Sequence, residues 1–198
     1  MTFQAFILQR IKTGETSLTL TVLSCEHGKQ RIKAKGALAP RSPLIGILDL
    51  MHQVELRLAP CRDNSMPYLG EATLLCSFPA IRLDYARMCA ACYFLETVAA
   101  SLEERDPSPE IYGLLSKALH YLNEKKPSIS LLQRFESRLV SILGFGGERS
   151  SAPDHPQPFD ALAQHIPYRQ ASRLVTLRQN LAKAISEEPP RSVEPHKE

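Results

Sequence analysis

The chain has 198 residues, of which 43 % are hydrophobic and 23 % are charged, a composition typical of globular proteins that excludes wholesale disorder. Its formal net charge is only +3, which excludes a histone-like polycation. The excess lies in the first 80 residues, which carry nine basic and six acidic side chains, whereas residues 81–198 carry fifteen of each. Segregated charge of this kind indicates a partner surface.

Targeting signals and cysteine usage indicate the cellular compartment of the protein. No apolar run approaches the roughly 18–20 residues that span a bilayer, and the first apolar stretch, 6–8, is too short for the core of a secretory signal. The five cysteines, an odd number, indicate reduced thiols. We therefore expect a cytoplasmic protein that does not act at a membrane.

The first 78 residues alternate apolar and polar side chains and predict five strands. The strands are expected over 3–11, 17–24, 29–35, 48–58 and about 68–78, with a turn at 26–28 and a loop over 37–46. Five strands joined by short turns favour a small closed barrel, because closure removes exposed strand edges. Residues 1–80 are the predicted barrel domain.

After Pro79 the hydrophobic period becomes helical. Helices are predicted from about 83 to 105, from Pro109 onward, from Ser128 or Ser130 to Gly144, and over about 168–186. Residues 146–158 have the composition of a linker, and 187–198 that of a disordered tail. The predicted fold class is α+β, with a β-barrel followed by an all-helical domain over 81–186.

The third predicted strand carries the clearest functional signal. Its segment holds five basic residues and no acidic one: Lys29, Arg31, Lys33, Lys35 and Arg41. The first four occupy odd positions, so a strand places them on one face, with Ile32 and Ala34 toward the core. Phosphate backbone is the polyanion that such a face fits best. The alternative is a solvated outer face neutralised by Glu55 and Asp49 on another strand.

Catalytic and metal-binding patterns are weak. Cys89 and Cys92 have a metal-like spacing, but they lie in an apolar helix without a second pair, so buried structural thiols are the expected interpretation. Cys25 and His27 could be drawn as a nucleophile and its base, yet nothing nearby would lower the thiol pKa. We expect no enzyme activity, no metal and no cofactor.

Several short motifs occur in a characteristic order between about residues 3 and 145. They are Gly14–Ser17, Glu26–Lys29, Ala34–Ala37 with Ser42, Phe78–Arg82, Tyr93–Glu96, Arg134–Glu136 and Leu143–Phe145. This order resembles the bacterial RecO family of recombination mediators. Lys29, Lys35 and the loop to Arg41 match the basic barrel segment of that family.

The resemblance implies an OB-fold joined to a helical domain, binding and annealing of DNA, and help in loading recombinase onto strands coated by single-strand-binding protein in the RecF pathway. The implied partners are single- and double-stranded DNA, RecR and the C-terminal tail of single-strand-binding protein. Many family members carry a four-cysteine zinc module after the Leu-Gly-aromatic motif, whereas residues 146–158 contain no cysteine. Contacts made through that module are therefore in question.

The acidic tail of single-strand-binding protein ends in apolar side chains and a carboxylate, so its receptor should combine a hydrophobic groove with basic residues. Two arginine pairs fit this description: Arg134 and Arg138 beside the Phe135–Leu139 face, and Arg169 and Arg173 on the last helix. The alternative is that these are ordinary surface arginines paired with Glu136 or others. The alternative function is a non-enzymatic adaptor whose barrel is only structural.

Overall fold

The computed structural model describes residues 1–59, 66–144 and 158–186. Its five strands are β1 (Thr2–Lys12), β2 (Leu18–Ser24), β3 (Gly28–Ala34), β4 (Gln53–Leu58) and β5 (Leu69–Cys76). They form one sheet in the order β3-β2-β1-β4-β5, in which every neighbouring pair is antiparallel. The five predicted strands are confirmed, and only the start of the fourth is wrong.

The two outer strands of this order, β3 and β5, meet and close the sheet into a barrel. The Lys33 N–H donates to the Pro67 carbonyl over 2.9 Å, and Lys33 and Tyr68 form a parallel bridge. Apolar side chains from all five strands fill the interior. Five strands in this connectivity, closed by a short parallel contact, form an OB-fold barrel.

The alternating pattern of residues 48–52 predicts that they belong to the fourth strand. In the structure they lie outside it. Met51 has a φ of 62°, a left-handed conformation that an extended strand cannot contain. Asp49 forms ion pairs with Arg10 over 2.6 Å and with Arg82 over 3.0 Å. Partial burial favours a higher pKa for Asp49, but the hydrogen bonds from Arg10 and the Leu50 N–H and the charges of both arginines outweigh it. The pKa of Asp49 is therefore held below its usual value. The segment therefore joins β1 to the helices.

In the described ranges, six helices follow the barrel. They are α1 (Pro79–Arg82), α2 (Tyr85–Ser101), α3 (Pro109–Glu124), α4 (Ile129–Ile142), α5 (Pro158–His165) and α6 (Tyr168–Ser186). The first predicted helix, 83–105, corresponds to α2, whose start is capped by the Asp84 side chain accepting from the Arg87 N–H over 2.9 Å. Helix α1 lies before the predicted start. Within the described ranges no helix is long and apolar enough to cross a membrane.

Helix α5 was not predicted, since it is short and buries only Phe159 and Leu162. Its first residue, Pro158, had been placed in the predicted linker. The rest of that linker, 146–157, and the predicted disordered tail, 187–198, lie outside the described residues.

The sheet is buried on both faces where β1 pairs with β2. Ile7 and Val22 point into the barrel, whereas Phe6, Leu8 and Leu23 join the apolar core of the helices. Helices α2 and α3 cover this second face of the sheet. The barrel and the helical domain therefore share a continuous apolar contact.

A buried carboxylate links three of the helices. Glu136 on α4 is fully buried; it accepts hydrogen bonds from Tyr93 of α2 over 2.7 Å and from Arg178 of α6 over 2.8 Å. Burial, followed by the charge of Glu136, raises the pKa of the Tyr93 phenol. The position of α6 thus depends on a charge that cannot reach water.

We predict that Arg178→Met lowers the free energy of unfolding by about 3 kcal/mol, because it leaves the Glu136 charge buried and unpaired. Adding Glu136→Gln to that variant removes the charge and should recover a measurable part of the loss. Urea unfolding followed by circular dichroism measures both effects. An additive or larger loss in the double variant would contradict the assigned role of the pair.

Candidate nucleic-acid interface

The predicted register of β3 is confirmed. Ile32 and Ala34 are fully buried in the barrel, and Arg31 is exposed on the opposite face. On the neighbouring strand, Lys33 lies opposite Thr19 and Arg31 opposite Thr21. Neutral threonines therefore flank these cations on β2.

The two carboxylates considered as neutralising partners are directed elsewhere. Glu55 lies on β4 between Gln4 of β1 and Thr73 of β5, across the sheet from β3. Asp49 is bound by Arg10 and Arg82. The interpretation that Glu55 and Asp49 neutralise the basic strand is thus wrong, and among the described residues no ion pair holds Arg31, Lys33, Lys35 or Arg41.

Lys29 is the exception within the predicted basic face. Its Nζ donates to the Ala99 carbonyl over 2.7 Å and also to the Leu102 carbonyl, at the end of α2. Its own carbonyl accepts from the Arg105 N–H over 2.8 Å. The shared strand face is correct, but Lys29 holds the sheet against α2, so this amino group is not free for a phosphate.

An aromatic ring that the sequence analysis did not single out completes the outer surface of β3. The Lys35 Nζ lies 4.3 Å from the centroid of the Tyr68 ring, within the range of a cation–π contact. Barrel closure brings Tyr68 beside Lys33 as well. We call Arg31, Lys33, Lys35, Arg41 and Tyr68 the basic barrel surface. The available signal for Tyr68 was an aromatic residue at the predicted start of β5.

Arg41 lies in the turns that follow β3. Gly36 adopts a φ of 64°, which favours glycine, and its carbonyl accepts from the Ala39 N–H over 3.1 Å. The next turn is closed by the Ser42 N–H and the Ala39 carbonyl at 2.9 Å. Arg41 is exposed on this segment, so the loop adds a further exposed cation.

A cleft of about 720 Å³ separates the outer face of the sheet from α2 and α6. Arg31 lines it on the sheet side, and Arg169 and Arg173 line it on α6. Arg173 forms an ion pair with Glu96 over 2.7 Å. Leu95, Leu174 and Leu177 supply apolar wall. The cleft therefore combines apolar and basic side chains, as a receptor for an acidic, apolar peptide requires, with the carboxylates of Glu96 and Glu104 also in its lining.

The second arginine pair lies elsewhere. Arg134 and Arg138 are exposed on α4 and do not line the cleft. The apolar residues beside them, Phe135 and Leu139, are buried in the helical core. Glu136 is bound by Arg178 and Tyr93, so the suggested pairing of the α4 arginines with Glu136 is wrong.

The cysteines do not assemble a reactive centre in the described ranges. Cys25, Cys76, Cys89 and Cys92 are free and partly buried, and Cys61 lies outside those ranges. Burial raises the pKa of the Cys92 thiol, which disfavours the thiolate. Within 1–59, 66–144 and 158–186, no group of three or more potential ligands could hold a metal ion. The absence of a metal in the protein stays a prediction.

Comparison with known proteins identifies both parts of the chain. Residues 1–78 match the family model described as Recombination protein O N terminal, and residues 82–151 match Recombination protein O C terminal. A DNA repair protein RecO from Stenotrophomonas maltophilia is 30 % identical over 87 % of this chain and 72 % of the relative. The DNA repair protein RecO from Salinibacter ruber is 31 % identical over 71 % of this chain and 55 % of the relative.

A further DNA repair protein RecO, from Synechococcus elongatus, is 37 % identical over 74 % of this chain and 54 % of the relative. The chain thus spans little more than half the length of several curated relatives that it matches. The matched segments include the whole basic barrel surface and helices α2 to α4.

The role of Lys29 gives a first test of this site. We predict that Lys29→Met lowers the free energy of unfolding by about 1–3 kcal/mol, because two carbonyls at the end of α2 lose their donor. DNA affinity should change much less than stability does. Arg31→Met is the matched control on the same strand face and should leave stability nearly unchanged. Equal stability of Lys29→Met and the parent would contradict the assignment.

The same contact predicts a pH dependence. Burial lowers the pKa of Lys29 from 10.5, although Glu104 and Glu103 oppose the shift. Between the lowered pKa and 10.5 the unfolded chain binds more protons, so the parent gains stability as the pH rises. Lys29→Met lacks this gain. Urea unfolding at increasing alkaline pH should show a widening difference between the two proteins, and a narrowing difference would count against the buried ammonium.

Proposed function

Because the chain belongs to the RecO family, we propose that it is a DNA-binding recombination mediator of the RecF pathway. In this proposal it binds and anneals single- and double-stranded DNA. It also helps to load recombinase onto single strands coated by single-strand-binding protein, with RecR as a further partner. The activity is one of binding and exchange, without a catalytic residue.

The observation that carries the proposal is the basic barrel surface. Four cations that form no ion pair among the described residues lie on β3 and the loop after it, and their mutual repulsion favours the binding of a polyanion. In OB-folds, the face of strands 2 and 3 and the adjoining loops commonly bind oligonucleotides. The surface here has the corresponding location: Arg31 and Lys33 lie on β3, and Tyr68 is the last residue of the β4–β5 connection.

The composition of this surface favours binding without sequence preference. Lysine and arginine contact phosphates, which carry no base information. Tyr68 adds an aromatic face on which a base of a single strand can stack, and stacking tolerates every base. The Lys35 ammonium, 4.3 Å from the ring centroid, would hold the neighbouring phosphate beside that base. The arrangement supports binding of single strands of any sequence.

We predict that the double variant Lys33→Ala/Lys35→Ala weakens DNA binding by more than about tenfold at moderate salt, through the loss of two phosphate contacts. The loss should be the same for every DNA sequence. Fluorescence anisotropy with labelled oligonucleotides measures it. The melting temperature should hardly change, because Ile32 and Ala34, not the lysines, fill the barrel.

The matched control is Lys33→Arg/Lys35→Arg, which keeps the charge and should retain binding. The Lys33 backbone N–H that closes the barrel is present in both variants. Normal DNA binding by the alanine variant would show that the basic barrel surface is not the DNA site. In that case the adaptor function, with a structural barrel, would be favoured.

A second part of the proposal concerns the tail of single-strand-binding protein, and the cleft between the sheet and α6 favours it. Arg169 and Arg173 line that cleft together with apolar side chains such as Leu174. A terminal carboxylate would compete with Glu96 for Arg173, whose side chain is 67 % exposed. The tail is therefore assigned to the cleft rather than to α4.

We predict that Arg169→Glu/Arg173→Glu weakens binding of a labelled tail peptide by more than about tenfold, since two charge-assisted contacts become repulsive. The matched control, Arg134→Glu/Arg138→Glu, makes the same charge change outside the cleft and should bind the peptide nearly as the parent does. If only the α4 variant loses the peptide, the receptor lies on α4 and the cleft assignment is wrong.

A further inference from the structure

The outer surface around α4 carries an excess of positive charge. Between residues 124 and 144 the exposed charged side chains are four cations, Lys125, Lys126, Arg134 and Arg138, and one carboxylate, Glu124 at the end of α3. The other acidic residue of that segment, Glu136, is buried and bound by Arg178. Within the described ranges none of the four cations forms an ion pair. We call these four residues the α4 surface.

The polar side chains between the cations indicate what kind of ligand fits. Ser130, Arg134, Ser137 and Ser141 follow one another at spacings of four, three and four residues, so they form one stripe along α4. All four are exposed. Hydroxyl and guanidinium groups both donate hydrogen bonds to phosphate oxygens.

The stripe itself carries no large apolar side chain. Leu132, Phe135 and Leu139 of α4 are buried in the helical core, and the exposed apolar side chains of this region, Ile129 and Tyr121, lie outside the stripe. Docked peptides and proteins are held mainly by apolar or aromatic anchors in pockets. A stripe of hydrogen-bond donors beside an excess of positive charge therefore favours a phosphate backbone over an acidic protein segment.

The α4 surface is distinct from the basic barrel surface. Helices α2 and α3 pack against the sheet, whereas α4 packs against α3 and α5. The cations of the barrel lie on β3 and its following loop, and those of α4 lie on helix and turn at the other end of this stack. One segment of DNA bound on the barrel face would therefore leave the α4 surface free.

We propose that the α4 surface binds the phosphate backbone of a second DNA strand while the basic barrel surface holds the first. The inference rests on the proposed DNA-binding function and gives annealing a physical basis. Two strands on one protein meet at a raised effective concentration, and cations on both surfaces offset the repulsion between their phosphates. Lys125, one of the cations of this second site, lies 5.7 Å from the centroid of the Tyr121 ring.

The experiment measures bridging by the full chain. A single-stranded oligonucleotide is fixed to a surface, the protein is bound to it, and capture of a second, non-complementary labelled strand is recorded. The parent should capture the second strand. Arg134→Glu/Arg138→Glu should reduce capture by at least about tenfold, since two contacts become repulsive, while binding to the first strand falls much less.

Two controls separate charge from fold. Arg134→Lys/Arg138→Lys keeps the positive charge and should retain capture. Lys33→Ala/Lys35→Ala should instead lose the first strand. Both reversed arginines are exposed, so circular dichroism should show unchanged melting.

Each of the other possible results of this experiment would contradict a specific part of the proposal. Undiminished capture by the charge-reversed variant would overturn the α4 assignment while the barrel variant still tests the proposed function. A parent that binds no first strand would overturn both. If the reversal abolishes binding of an oligoglutamate peptide but leaves DNA capture intact, the α4 surface is a protein-docking site and the inference is wrong.

Discussion

The structure depends on covering the outer face of the β1–β2 pair. Phe6, Leu8 and Leu23 point away from the barrel interior, so an isolated barrel would expose large apolar side chains to water. Packing α2 and α3 against them removes this surface from solvent, at a gain of roughly 25 cal/mol for each Å² buried. The helical domain is thus placed by the sheet and not merely tethered to it.

Polar contacts fix the edges of this apolar interface. Lys29 binds the carbonyls at the end of α2, and Asp49 joins Arg10 of β1 to Arg82 of α1. His52, which is buried, forms a 3.1 Å contact with the same Arg82. These groups require a single alignment of sheet and helices, because a slip would leave charges unpaired in a partly buried site. The alignment leaves the end of β3 and the loop after it uncovered, and the exposed cations Lys35 and Arg41 lie there.

Local patterns in the sequence predicted what depends on neighbours along the chain. The period of β3 predicted that Ile32 and Ala34 face the core, and the structure confirms it. Contacts between distant segments were not predictable from that pattern. The alternation that marked Lys29 as an outward residue contains no information about α2, which packs on that face some 70 residues later. Tyr68 reaches the basic surface only because the barrel closes at Lys33.

In the helical domain, too, the local pattern predicted a helix, whereas contacts between distant segments could not be predicted. The α4 helix followed from its apolar period, but the partner of Glu136 could not be inferred, since Arg178 lies 42 residues away on α6. The alternating pattern over Leu48 to His52 is that of a strand, but ion pairs at Asp49 and the left-handed Met51 make this segment a turn. Arg169 and Arg173 were recognised by spacing alone, and only the packing of α6 on α2 shows that they line a cleft.

The central claim is that DNA binds on the face of β3 that the helices leave free. Its most direct test is a titration of the ¹⁵N-labelled protein with a short single-stranded oligonucleotide, followed by amide chemical shifts at low salt. The account predicts that the largest changes fall on residues 31–41 and 66–69, and that they disappear as salt is raised, because phosphate contacts are displaced by counterions. Saturable DNA binding that leaves those amides unchanged would contradict it.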